Sequence, residues 1–324
     1  MNVDAQETLA DLRRVLQTAV PGGEPDDVAL AAFWLLQAEQ LGLPEFGIRM
    51  LARDLARLGG TPVARTPPGD DGAAIGSVDA TGAPGVVALA SAVRRASEAV
   101  ATNGLAIIGI RGAGALGILG LAARSLAAEG AVALVAAQSP AAVAPWGAHA
   151  AAIGTNPLAV GVPRADGAPL VVDYATSALT LAAVREAAAA GGSLPDGSAI
   201  DADGAPTTDP AAVAALLPTG LVGSLTGLVV ELLAGVAVGG RVTDSEAPST
   251  RGAVVIAFDP ARAGAVDAAS AAAELDRDWR AAGGHLPARF DVLTADPADL
   301  PSTIDIPVDA LDWLRERGEG AAGR

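Results

Sequence analysis

Between residues 85 and 258 the chain alternates helical periodicity with short apolar runs bounded by glycine and proline, which constrains its fold more than any other feature. Residues 105–110, 132–137, 158–162, 170–172 and 253–258 read as strands. Helices are predicted over 85–103, 115–128, 179–190 and 223–238. The class is therefore α/β. Ahead of this core, 5–19, 25–41 and 46–58 place apolar residues at helical spacing, and residues 59–76 read as a loop and candidate boundary. Behind it lie a charged helix at 271–281 and a last helix at 308–316. At 324 residues the chain has the length of about two domains.

Composition removes several chemistries. All 21 basic side chains are arginines and there is no cysteine, so lysine Schiff bases, phosphate-loop lysines and thiolate catalysis are excluded. With only His149 and His285, no metal site is expected. A net charge of −16 argues against nucleic acid and against anionic membranes. The uncharged stretch 210–230 is interrupted by Pro218, Gly220, Gly223 and Gly227, which favours a buried core helix over a membrane span. Residues 1–14 hold no apolar signal core, so a cytoplasmic location is expected.

Residues 105–129 imitate a dinucleotide fingerprint, with Gly112, Gly114 and Gly117 between a strand and a helix. The acidic residue that should end the next strand is missing, because Gln138 stands there. The βαβ rhythm also stops after Ser139, and we discount the fingerprint.

Five segments then occur in order: Ala144-Pro145-Trp146-Gly147, Gly154-Thr155-Asn156-Pro157, residues 172–178 (VDYATSA), residues 201–210 (DADGAPTTDP) and residues 230–235 (VELLAG). In order and spacing, from about Asp26 to the tail, the chain resembles the malate/L-lactate dehydrogenase family, which includes ureidoglycolate dehydrogenase, sulfolactate dehydrogenase and Δ1-piperideine-2-carboxylate reductase. The resemblance implies a two-domain, non-Rossmann α/β fold with a mixed sheet flanked by helices. It would divide into residues 1–72 packed with 254–324, and a central cofactor domain, 73–253. It also implies a homodimer that binds NAD or NADP. Thr155, Asn156, Asp173, Thr176 and Ser177 match positions around the cofactor, although each also suits turn or cap chemistry.

The departures from the family carry as much information. Its Gly-Val-Asp-Ser-His-Gly stretch and the following arginine fall on residues 42–50, so Phe46 takes the histidine position and Met50 that of the substrate-carboxylate arginine, with Arg49 one step away. Its Asn-His-Phe-Gly segment falls on 114–117, making Ala115 the second histidine position and accounting for the glycine pattern there. Its Gly-His-Lys-Gly-Tyr falls on 220–224, where Leu221, Val222 and Ser224 replace histidine, lysine and tyrosine. Reduction of a keto acid or imine needs a poised proton donor and a cation for the carboxylate, and these side chains supply neither. The expectation is an apolar cleft without ionisable groups, with Glu45 and His149 as weak catalytic candidates. Tyr174 is expected in the core.

Three functions fit this sequence. The cleft, still holding NAD or NADP or having lost it, serves an atypical redox or non-redox step, such as cyclisation, on a more hydrophobic small molecule. Alternatively the chain is a non-catalytic subunit paired with an active paralogue. Third, it is a working malate/lactate-type dehydrogenase.

Overall fold

The computed structural model describes residues 1–58, 72–240 and 251–322. A short strand, β1 (Asn2–Asp4), ends on the residue that caps α1 (Ala5–Ala19), where Asp4 Oδ1 accepts the Glu7 amide at 2.8 Å. α2 (Pro25–Gln40) begins on a proline, whose missing N–H costs nothing at that position. Near its end, buried Glu39 accepts the Ile48 amide at 2.7 Å and so starts α3 (Ile48–Arg57). Gly47 is required between them, because a Cβ there would stand 2.3 Å from Glu39 Oε1.

The chain continues through β2 (Ile75–Asp79), α4 (Gly85–Asn103), β3 (Leu105–Ala113), α5 (Leu119–Ala128), β4 (Val132–Ala137), β5 (Leu158–Val162), β6 (Leu170–Tyr174) and α6 (Leu181–Ala189). Two short strands follow, β7 (Ala199–Ile200) and β8 (Ala215–Leu216), then α7 (Gly220–Val230), which runs into a π-helical turn (Glu231–Val236). β9 (Arg251–Phe258), α8 (Ala268–Ala281), β10 (Thr303–Asp305) and α9 (Val308–Ala322) complete it.

Six strands form one sheet in the order β2-β3-β9-β4-β5-β6. Only β2 and β3 run parallel; the other four pairings are antiparallel. A doubly wound dinucleotide fold would be largely parallel, so this mixed sheet disposes of the Rossmann alternative. β1 pairs antiparallel with β10, so the chain's two ends meet. The helices α1 to α5, the sheet and α9 share one continuous core, rich in alanine because closely approaching helices and strands leave little room. β9 lies in the middle of the sheet, so the expected division between residues 253 and 254 cuts through a central strand.

Two predicted helices differ from the structure. The helix expected from residue 115 starts only at Leu119, because the preceding segment wraps Asp54. Gly85 N and Ala115 N donate to the two Asp54 oxygens at 2.9 and 3.2 Å, and a Cβ on Gly114 would stand 2.0 Å from Asp54 Oδ1. Gly114, one of the glycines that imitate a phosphate loop, thus makes room for a carboxylate of the protein itself. The helix expected to be buried at 223–238 instead begins at Gly220 and is buried on one side only. Ser224, Gly227 and Val230 face inward, whereas Leu221, Val222, Leu225, Leu228 and Val229 are exposed. Among the described residues no helix is long and apolar enough to cross a membrane.

Candidate active site

A cavity of about 640 Å³ opens between α3, the 115–119 turn, the ends of β4 and β6, and α6. Phe46 and Met50 reach it from the first turn before α3 and from α3 itself, and Ala115 from the turn after β3. Leu116, Ile118, Leu119 and Leu181 extend this apolar wall. The three positions that the family resemblance marks as altered in the first half of the chain therefore meet in one place.

The rest of the lining departs from the expected cleft without ionisable groups. Arg53, Arg57, Arg185, Arg251 and Arg289 line it, together with Glu45, Asp54, Asp173 and Glu186. Sequence reading missed these arginines because they come from four separate elements; only Arg53 and Arg57 carry a local signal, one helical turn apart on α3. Glu45, a weak catalytic candidate, does line the cavity, but it is ion-paired to Arg53 at 3.0 Å, Arg185 at 3.1 Å and Arg49 at 3.7 Å. Three guanidinium groups around one carboxylate suit it to holding α3 and α6 together. Asp54 pairs with Arg57 at 3.0 Å in addition to its two backbone donors.

Asp173 sits differently. Burial pushes its carboxyl up to about 6, against the opposing effects of the Gly120 amide, which it accepts at 3.1 Å, and of the more distant Arg289. Among the described residues it has no ion pair, and it keeps a proton closer to neutral pH than an ordinary aspartate does.

The five cofactor candidates divide. Thr155 and Asp173 line the cavity. Asn156 lies outside it, buried, with a left-handed backbone (φ 35°) that asparagine tolerates. Its Oδ1 accepts the Ser139 amide at 3.0 Å and its Nδ2 donates to Gly227 O and Glu231 Oε2, both at 2.9 Å, so it fastens α7 to the sheet. Thr176 donates its hydroxyl to Thr155 O at 3.0 Å, and Ser177 donates to Leu179 O at 2.5 Å. Both are turn builders. Ser139 and Thr180 line the cavity and were not singled out from sequence.

The remaining candidates lie elsewhere. Leu221 and Val222 are exposed on α7, and buried Ser224 accepts the Trp146 amide at 3.0 Å; none of the three lines the cavity, so the altered positions do not share one pocket. His149 and His285 are exposed and also outside it. Tyr174, expected in the core, is 44% exposed and lines the cavity, because it ends β6, the edge strand of the sheet. No group of histidines and carboxylates among the described residues could hold a metal ion.

The lining suits a pyridine dinucleotide. Arg289 is a cation without an ion pair among the described residues, and Thr155, Ser139 and Asp173 offer partners for hydroxyl groups.

The family model for malate/L-lactate dehydrogenase matches residues 3–285. The Δ1-pyrroline-2-carboxylate/Δ1-piperideine-2-carboxylate reductase of Pseudomonas syringae pv. tomato is 37% identical over 227 residues, spanning 66% of each chain. The (2R)-3-sulfolactate dehydrogenase (NADP+) of Chromohalobacter salexigens is 35% identical over 269 residues, 79% of each. Among solved structures, the Δ1-piperideine-2-carboxylate reductase of P. syringae superposes with a TM-score of 0.84 at 32% identity, covering 98% of this chain and 99% of that one. A dehydrogenase from Sinorhizobium meliloti gives 0.78 at 31% identity, covering 98% of both. The chain belongs to the malate/L-lactate dehydrogenase family of oxidoreductases.

Proposed function

We propose that this chain is a divergent NAD(P)-binding member of its family, turned to an atypical step on a small molecule that carries both an apolar body and an anionic group. One observation carries the reading: Phe46, Met50 and Ala115, at positions where the family resemblance implies histidines and an arginine, share the apolar wall of a cavity whose other side is lined by arginines. When bound, a nicotinamide cofactor supplies or accepts a hydride. Thr155, Ser139 and Arg289 are the residues to hold it. Asp173 is the group to keep a proton for a substrate atom, at about the strength that a general acid near neutral pH requires. Phe46, Met50 and Leu181 exclude water from one side of the ligand.

Titration of the purified protein with NADH and NADPH, followed by nicotinamide fluorescence, tests this. Saturable binding of at least one nucleotide in the micromolar range is expected. Binding of neither contradicts the reading.

A second reading rests on the outer face of α7. Leu221, Val222, Leu225, Leu228 and Val229, with Leu232 and Val236 on the π-helical turn, leave a continuous apolar surface that monomeric proteins seldom expose. It suits a subunit interface, in a homodimer or with a paralogue. Size-exclusion chromatography with light scattering, on this chain alone and co-expressed with a family paralogue, separates the two.

A further inference from the structure

We infer that Arg251, at the start of β9, holds the carboxylate of the ligand in this cleft, in place of the arginine that the family resemblance puts at Met50. The inference rests on the cleft being a ligand site, as proposed above.

Met50 and Arg251 line the same cavity, so the position that lost a cation and the one that supplies a cation share a single space. The β3–β9 register explains how Arg251 gets there. Arg251 lies opposite Ala113, and the pairing shifts between Ile110 and Ala113. Such an irregularity re-aims side chains at the end of a strand, and here it sets Arg251 beside the turn that carries Ala115.

The charges around Arg251 point the same way. Arg53, Arg57 and Arg185 each have a carboxylate partner, whereas Arg251 has neither ion pair nor side-chain hydrogen bond among the described residues. The one carboxylate acting favourably on it, Asp54, is already engaged by Arg57 and two backbone amides. Arg57 and Arg185 oppose its charge, and burial pushes its guanidinium below the ordinary arginine value. Arg57 Nη2 is itself buried with no hydrogen-bond partner. A surplus of cations in a recess of a chain with a net charge of −16 costs free energy unless an anion offsets it. Glu45 and Asp54 line the same recess and would repel a doubly charged phosphate more than a singly charged carboxylate. The planar guanidinium fork matches the carboxylate.

The test compares pyrrole-2-carboxylate with the neutral pyrrole-2-carboxamide by calorimetry, with and without NADPH, on the full chain and its Arg251→Gln variant. The wild type should prefer the carboxylate by about tenfold or more, and Arg251→Gln should abolish that preference. Arg251→Met, which keeps the apolar stem, should do the same and serves if glutamine is not tolerated. Full preference retained in either folded variant, or no preference in the wild type, overturns the inference. Inorganic pyrophosphate forms a third arm. If the variants weaken pyrophosphate but not the carboxylate, the anion held is a cofactor phosphate and the assignment falls. A wild type that binds no NADPH but shows the Arg251-dependent carboxylate preference sinks the NADPH reading while upholding Arg251.

Discussion

The two segments that depart from the family pattern, 45–50 with Ala115 and 221–224, end in opposite settings. The first gathers around a cavity, where Phe46, Met50 and Ala115 face arginines and carboxylates. The second lies on α7, with Leu221 and Val222 turned to the outside and Ser224 turned inward to accept the Trp146 amide. A polar-to-apolar replacement therefore has different consequences at the two places. In the cavity it changes which chemistry can be done. On α7 it adds to the exposed apolar stripe.

The largest effect should come from attacking the α7 side. Replacing Leu225 and Val229 together with glutamate puts two charges into the exposed apolar stripe. At about 2 kcal/mol for each interface anchor, subunit association should weaken by about a thousandfold. Light scattering should then report a monomer with an unchanged circular dichroism spectrum. An unchanged assembly would remove the contrast between the two segments.

A smaller effect sharpens the cavity side. The Asp173 carboxyl is pushed up to about 6 from an ordinary 3.8, so the folded protein holds its proton more tightly than the unfolded chain. That contribution to stability is full below about pH 4, declines as pH rises to about 6 and is lost above it. Asp173→Asn keeps an acceptor for the Gly120 amide and removes the titration. It should unfold at higher urea than the wild type above about pH 7, by about 3 kcal/mol, with the difference shrinking towards about pH 4. Parallel stabilities across that range would mean that the carboxyl is ordinary.

The elements that carry the two segments were legible in the sequence, whereas the contrast between their settings was not. The strands at 132–137 and 158–162 appear where their apolar runs lie, because buried strands of this length have little else to become. The helix 85–103 ends at Gly104, whose left-handed backbone (φ 80°) closes it. Phe46, Met50 and Ala115 could be marked as a group because an ordered motif pattern fixed their positions. The arginines could not. Arg185, Arg251 and Arg289 have no common periodicity, and only the tertiary fold brings them to one cavity. The outward side of α7 was misread because a helix apolar all round looks the same whether its cover is its own core or another chain. Asn156 matched a cofactor position, but its role in the fold emerged only from its bonds to Gly227 and Glu231.

The account's central claim is that the cleft no longer delivers protons by histidine, and one measurement addresses it directly. Single-turnover oxidation of NADPH with Δ1-piperideine-2-carboxylate, the substrate named for a relative at 37% identity, should be compared between the wild type and a Phe46→His, Ala115→His double variant. The account predicts a slow wild type and a double variant about a hundredfold faster, with nucleotide affinity unchanged, since a positioned general acid is worth at least that factor. A wild type that already turns over rapidly, and is slowed by the two histidines, would contradict it.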